Sequence, residues 1–142
     1  LGPTPPDEDI LVRSFLKDDR FLITSPNAYN SLGVGTTQLY NERVVYNHKR
    51  FGVFKLGNRE FSFIIKPHFP KKITREFLLV DLLNNLGSLA EDHKKILENI
   101  SHKVPAMDRK KLKHAVLEYG AARARKFLLP LIDKAEMKGH AV

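Results

Sequence analysis

The clearest pattern of hydrophobic and polar positions lies in two aromatic-rich runs, FGVFKL at residues 51–56 and REFSFII at residues 59–65. They flank Gly57-Asn58, a dipeptide typical of a two-residue β-hairpin turn. Because side chains alternate between the two faces of a strand, the turn also predicts the register. The predicted cross-strand pairs are Leu56 with Arg59, Lys55 with Glu60, Phe54 with Phe61, and Gly52 with Phe63.

Shorter elements are predicted before the hairpin. Apolar residues within 9–16 follow a helical stripe, with acids at its N-terminal end. Residues 21–23 predict a brief strand, and Ser25-Pro26 predicts a short helix that stops at Gly33. Residues 43–48 predict a third strand, antiparallel to the second strand of the hairpin.

From Thr74 onward the periodicity is helical. Thr74 is a predicted N-cap, and a leucine-rich stripe predicts that the helix after it covers the sheet. Asp81 interrupts this stripe, and we expect it to pair with a basic side chain of the sheet or to face solvent. Further helices are predicted to start at Ser88, at Asp108 and at Ala121, with Pro130 kinking or dividing the last one.

These elements predict an α+β fold, in which a small antiparallel sheet of three to four strands packs against helices and a helical C-terminal extension follows. The proline-rich and acidic residues 1–9 are interpreted as a linker from a missing upstream module. Residues 10–142 are predicted to form a single domain. Its sheet core covers about residues 21–90, and its basic helices cover about residues 91–138.

Composition narrows the classes of function. The chain of 142 residues contains no cysteine, which excludes disulfides and thiolate metal sites. It also has no apolar run of the about 18 residues that a membrane helix requires, so we expect no membrane contact. The lack of cysteine fits a reducing cytoplasm, so we expect a cytoplasmic protein. The six histidines lack the spacing of metal ligands on one helix, and we predict no metal and no cofactor.

The net charge of +8 favours an anionic partner. Its densest cluster lies in the C-terminal third, and a second basic group follows the third predicted strand. The candidate contact residues for phosphates or an acidic protein are Arg109, Lys110, Lys113, Arg123, Arg125 and Lys126, together with His48, Lys49 and Arg50. The alternative is that these residues only solvate helix surfaces.

The sequence contains only weak matches to the motifs of enzymes. The acid-x-Lys triplets at residues 92–94, 108–110 and 136–138 match the short pattern of a nuclease, but all three fall in predicted helices or caps. The pair Gly33 and Gly35 lacks the third glycine and the lysine of a phosphate-binding loop. A nuclease is therefore the less favoured hypothesis, and we predict a protein that binds and does not catalyse.

The succession SPNAYNSLGVGTTQLYNERVVYNHKR, FKLGNREFSFIIKP and REFLLVDLLNNL resembles the C-terminal domain of AbiE-type abortive-infection antitoxins and related transcriptional regulators. The resemblance covers about residues 21–90. It implies an antitoxin domain that counters a nucleotidyltransferase-type toxin. In that family an N-terminal winged helix-turn-helix binds operator DNA, and this segment is missing here.

Within the resemblance, Thr36, Thr37 and Gln38 form a polar contact motif, although GVGT is also typical of a flexible exit from a helix into a strand. The competing hypothesis is a protein-interaction domain with no nucleic-acid role. The steep salt dependence of phosphate binding separates the two hypotheses.

Overall fold

The computed structural model describes residues 6–36 and 42–140, which form two compact units. Unit 1 comprises Leu1–Ala28 and Leu39–Lys72, and unit 2 comprises Tyr29–Gln38 and Ile73–Val142. A four-stranded sheet combined with helices confirms the α+β class and the helical C-terminal part. That residues 10–142 form a single domain stays a prediction.

Unit 1 holds the first helix and the whole sheet. Its elements are α1 (Pro6–Leu16), β1 (Phe21–Thr24), β2 (Val44–Asn47), β3 (Gly52–Leu56) and β4 (Arg59–Ile65). Helix α1 begins at Pro6, so residues 6–9 are helical and not part of an extended linker. Proline suits the first turn because its missing N–H has no partner there, and the acids that follow complement the helix dipole.

The strands follow the order β1-β2-β4-β3. The predicted hairpin register is confirmed, with Leu56 opposite Arg59 and Gly52 opposite Phe63. The prediction that the third strand pairs antiparallel is wrong, because β2 lies beside β4 but runs parallel to it. Alternation of side chains determines which residues share a face, but it does not determine the direction in which two strands pair.

One face of the sheet packs against α1. The core of unit 1 is formed by the buried residues Val12, Leu16, Ile23, Val45, Phe61 and Phe63. Phe15 of α1 lies 5.0 Å from Phe54 and 5.2 Å from Phe63 between ring centroids. Gly52 has φ +128°, a conformation that L side chains rarely adopt, so backbone conformation explains a glycine there.

Unit 2 is helical. Its α-helices are α2 (Arg75–Asn85), α3 (His93–Lys103), α4 (Arg109–Tyr119) and α5 (Ala122–His140). Short 3-10 turns also occur, at Pro26–Leu32 across the boundary between the units, and at Leu86–Ser88 and Val104–Ala106 within unit 2. Every residue of α2 from Phe77 to Leu83 is buried, and α4 and α5 both pack on this helix.

The helix caps explain where these helices begin. Thr74 and Asp108 cap α2 and α4, as predicted. The predicted start at Ser88 is wrong, because Ser88 lies in the 3-10 turn, where its hydroxyl donates to the carbonyl of Asn85 at 2.8 Å. Asp92 caps α3 instead. Helix α5 continues through Pro130, so it does not divide there.

Candidate functional site

The C-terminal basic candidates lie on the last two helices of unit 2. Helix α4 carries Arg109, Lys110 and Lys113, and helix α5 carries Arg123, Arg125 and Lys126. All six are exposed except Lys113, which is half-buried. The two helices pack against each other as well as on α2, and their buried positions, such as Leu112 and Leu128, face the core.

The basic residues group along each helix. Lys110 and Lys113 are three residues apart on α4, and Arg123 and Lys126 are three residues apart on α5, so each pair shares one side of its helix. The guanidinium of Arg123 lies near Gly87, in the 3-10 turn after α2, 3.8 Å from the position that a Cβ would take there. We call Lys110, Lys113, Arg123 and Lys126 the basic surface.

Arg109 and Arg125 have structural partners. The Arg125 guanidinium donates to the carbonyls of Leu117 at 2.7 Å and of Gly120 at 3.1 Å, at the C-terminal end of α4. Those carbonyls lack helical N–H partners, so a cation there satisfies them and complements the helix dipole. Arg109 donates to the carbonyl of Ala135 on α5 at 2.9 Å. These two arginines join α4 to α5.

The basic surface has no acidic partner within the described part of the chain. The ion pairs found there all lie in unit 1, where Arg13, Arg20, Arg43 and Arg59 contact carboxylates. On α4 and α5 the exposed acids Glu118 and Asp133 form none. The basic surface therefore presents its positive charge to solvent.

The second basic group lies in the turn between β2 and β3. Asn47 organises this turn, because its side-chain oxygen accepts the N–H groups of Lys49 at 2.8 Å and Arg50 at 2.6 Å. The ammonium of Lys49 then reaches the carbonyls of Leu16 and Lys17, 3.3 Å away, at the end of α1.

The other two members of this group contact aromatic rings. Arg50 lies over the ring of Phe15 at 5.7 Å, and His48 stacks on Phe69 at 4.7 Å. All three residues, His48, Lys49 and Arg50, are nevertheless exposed, so Lys49 and Arg50 contribute positive potential to unit 1 while the three side chains serve its packing.

The burial of Thr36 changes the interpretation of the polar motif Thr36, Thr37 and Gln38. Thr36 is only 5% exposed, so it does not belong to a contact surface. Its hydroxyl finds no hydrogen-bond partner among the residues that the structure describes. Thr37 and Gln38 lie outside those residues, so their predicted contact role stays a prediction.

Sequence reasoning missed a buried polar network in unit 2. Asp81 is 2% exposed, so the expectation that it faces solvent is wrong. The hydroxyl of Tyr29 donates to its carboxylate at 2.5 Å, and the amide of Asn85 donates to that hydroxyl at 3.0 Å. The one feature of the sequence that pointed to this network was a tyrosine in the turn after Ser25-Pro26. Tyr29 and Asp81 are 52 positions apart, so no local pattern connects them.

Two side chains have perturbed acidities. Hydrogen bonding from the backbone N–H of Arg20 holds the pKa of Asp18 below its usual value. Burial raises the pKa of Tyr119 above 10.0, and the neighbouring Glu118 adds to the effect. Asp18 contacts the exposed Arg20, and Tyr119 neighbours Glu118, so both shifts are explained by local structure.

The described residues contain no group of three His, Asp or Glu side chains that could hold a metal ion. In residues 6–36 and 42–140, no helix is long and apolar enough to cross a membrane. No protein-family model, no curated protein and no solved structure matches this chain. The class that the structure defines is thus an α+β protein with an exposed basic helical surface.

Proposed function

We propose that this protein is a non-enzymatic binding protein that contacts nucleic-acid phosphates through the basic surface. The observation that carries this proposal is the set of exposed cations on α4 and α5 that have no acidic partner among the described residues. Neutralising phosphates with such cations releases counterions, which supplies affinity independent of base sequence.

The cellular role in this proposal rests on the resemblance in residues 21–90. We infer an antitoxin-like transcriptional regulator of the cytoplasm that counters a nucleotidyltransferase-type toxin, with the basic surface assisting DNA binding. Sequence-specific reading of DNA would belong to a winged helix-turn-helix in the same protein, because lysine and arginine contacts to phosphates carry no base-sequence information.

A second candidate function is binding of an acidic protein at the same surface. It is favoured by two exposed apolar side chains, Leu117 on α4 and Met137 on α5, which lie on the same helices as the basic surface. Exposed apolar groups on a positively charged protein suit an interface with an acidic partner. Salt dependence distinguishes the two candidates.

The experiment is a titration of the chain with fluorescently labelled duplex DNA and single-stranded DNA across a salt series, read by anisotropy. The proposal predicts that affinity falls linearly with the logarithm of salt concentration, with a slope near −0.9 for each phosphate contacted in duplex DNA. Four contacting side chains therefore give a slope of about −3 to −4. Failure to bind at low salt would contradict the proposal.

Charge reversal locates the contact. Lys110→Glu, Lys113→Glu and Lys126→Glu together should weaken binding about a hundredfold at low salt and flatten the salt slope by about three contacts. The matched control reverses Lys71, Lys72 and Arg75, which are exposed and lie outside α4 and α5, so that it changes net charge equally. If both triple variants weaken binding alike, net charge and not the basic surface is responsible.

A further inference from the structure

The two edges of the sheet differ in exposure. At one edge, Leu22, Ile23 and Thr24 of β1 are all buried. At the other edge, β3 alternates between half-buried and exposed residues. Natural sheets protect such an edge with a covering element, a proline or several charges. Strand β3 has no proline and one charged residue, Lys55.

The hydrogen-bond pattern shows which backbone groups of β3 are free to pair. Ser62, which lies opposite Val53, donates its N–H to the carbonyl of Arg43 on the β2 side, at 2.8 Å. Val53 and Ser62 therefore form a non-hydrogen-bonded pair of the antiparallel ladder. The N–H and C=O of Val53, and by the same alternation those of Lys55, point away from β4.

Exposed apolar side chains accompany these outward backbone groups. Val53 is 64% exposed, and Phe51, two residues earlier, is 76% exposed. Because side chains two positions apart in a strand lie on the same face, Val53 and Lys55 share one side of β3, and Phe51 directly precedes the strand. Unpaired backbone groups beside an apolar pair are the features that an added strand uses.

The charges around this edge indicate the chemistry of the added strand. Arg50 and Lys49 precede the strand, Lys55 lies near its end, and all three are exposed. The exposed Glu60 opposite Lys55 is the acid on the neighbouring strand. The whole chain carries a net charge of +8, so pairing of β3 with β3 of a second copy works against electrostatic repulsion.

We propose that β3 is a docking strand for an extended segment of a partner protein, with apolar side chains at two alternate positions and an acidic residue at each end. In an antiparallel arrangement, one apolar residue lies beside Val53 and one acid lies beside Lys55, while the second apolar residue and the second acid lie near Phe51 and Arg50, before the strand begins. Backbone hydrogen bonds to Val53 supply affinity, and the flanking cations select for acidic ends.

The test uses the full chain and a blocked seven-residue peptide of sequence ETVTVTE, followed by amide NMR spectra. Binding should shift and protect the amides of Val53 and Lys55. Methylating the backbone nitrogen of the third peptide residue, which faces Val53, removes one hydrogen bond and should weaken binding at least about tenfold. Methylating the fourth residue, whose N–H points away from β3, is the matched control and should change affinity little.

A protein variant tests the same edge. Val53→Pro removes the outward N–H but no ladder bond to β4, and proline is tolerated at such edge positions. This variant should abolish binding, whereas Val53→Thr keeps the N–H and should retain it. The methylated peptides decide the question if Val53→Pro fails to fold.

Three results would overturn the proposal. The first is absence of peptide binding at millimolar concentration, and the second is equal weakening by the two methylated peptides. The third is concentration-dependent self-association that Val53→Pro abolishes, because it would identify a second copy as the occupant of β3.

Discussion

Among the described residues each unit buries one carboxylate, and the described donors to the two carboxylates differ. In unit 1, Glu8 is 1% exposed and accepts from the guanidinium groups of Arg59 at 2.5 Å and Arg43 at 3.3 Å. In unit 2, Asp81 accepts from the neutral hydroxyl of Tyr29. A buried carboxylate needs strong donors, and either kind can supply them.

The difference bears on function. In unit 1 the paired arginines hold α1 to the residues that begin β2 and β4, so much of its positive charge serves the fold. In unit 2 the described basic side chains form no ion pair, and two arginines bind backbone carbonyls instead. The remaining cations of α4 and α5 are available to a partner, which is why we locate binding there.

The largest expected effect comes from removing the acid of unit 1. Glu8→Gln removes the negative charge that two guanidinium groups share. It should lower the unfolding free energy by about 2–3 kcal/mol. This is less than the full penalty for breaking a buried ion pair, because both arginines are partly exposed. Urea denaturation measures this loss. Asp9→Asn is the control, since its pair with Arg13 is exposed and should contribute less than about 1 kcal/mol.

Amide exchange on Glu8→Gln also tests the prediction of a single domain. If unit 1 exchanges faster while α2 and α4 keep their protection, the two units unfold separately, and the single-domain prediction is wrong. An equal loss of protection in both units would show that they unfold together.

The next effect concerns the acid of unit 2. Tyr29→Phe removes one donor to Asp81 and one acceptor of Asn85, which should cost about 2 kcal/mol. Thermal and urea unfolding measure it. Tyr119→Phe is the matched control, because the Tyr119 hydroxyl forms no hydrogen bond with the described residues, and it should change stability by less than about 0.5 kcal/mol. Equal losses of stability in Tyr29→Phe and Tyr119→Phe would contradict a stabilising role for the hydrogen bonds between Tyr29, Asp81 and Asn85.

A smaller effect separates the two roles of arginine in α5. Arg125→Ala should lower stability by about 1 kcal/mol because the last carbonyls of α4 lose their donor, and it should leave the salt slope of DNA binding unchanged. Arg123→Ala should do the reverse, reducing the slope by about one contact at little cost in stability. If both variants change the slope alike, the structural role assigned to Arg125 is wrong.

The smallest effect is that of Tyr119 on alkaline stability. Burial raises its pKa above 10.0, so the unfolded state loses this proton first as the pH rises. The stability contributed by the neutral phenol is therefore present below pH 10 and is lost as the pH rises through the folded pKa. Tyr119→Phe should remove one group from the alkaline end of the tyrosinate absorbance titration. An unchanged alkaline end of that titration in the variant would contradict the assignment.

Local patterns predicted much of the fold. Gly57-Asn58 and the aromatic runs determine the hairpin register, and Thr74 and Asp108 begin their helices, because each feature depends on interactions within a few residues. Where two local signals competed, the prediction failed. Ser88 has the spacing of a capping box, but its hydroxyl satisfies the carbonyl of Asn85, and Asp92 caps the helix.

Prediction of the candidate site from the sequence has the same limit, because local patterns do not specify distant contacts. Sequence placed six basic residues on two C-terminal helices, and the structure keeps them there. The sequence could not distinguish Arg125, which binds carbonyls at the end of α4, from Arg123, which is exposed without a described partner. The difference depends on where α4 ends relative to α5. The sequence left open whether Thr36 belongs to a contact surface or to a structural exit from a helix, and the structure buries it.

The amino-acid sequence by itself determined the α+β class, the hairpin, most helix starts and the net positive charge, since these follow from composition and short-range periodicity. Tertiary structure alone decided the parallel pairing of β2 with β4, the exposed edge of β3, and the partners of Glu8 and Asp81. Those features join residues far apart in the chain, and no local pattern encodes which distant side chains will meet.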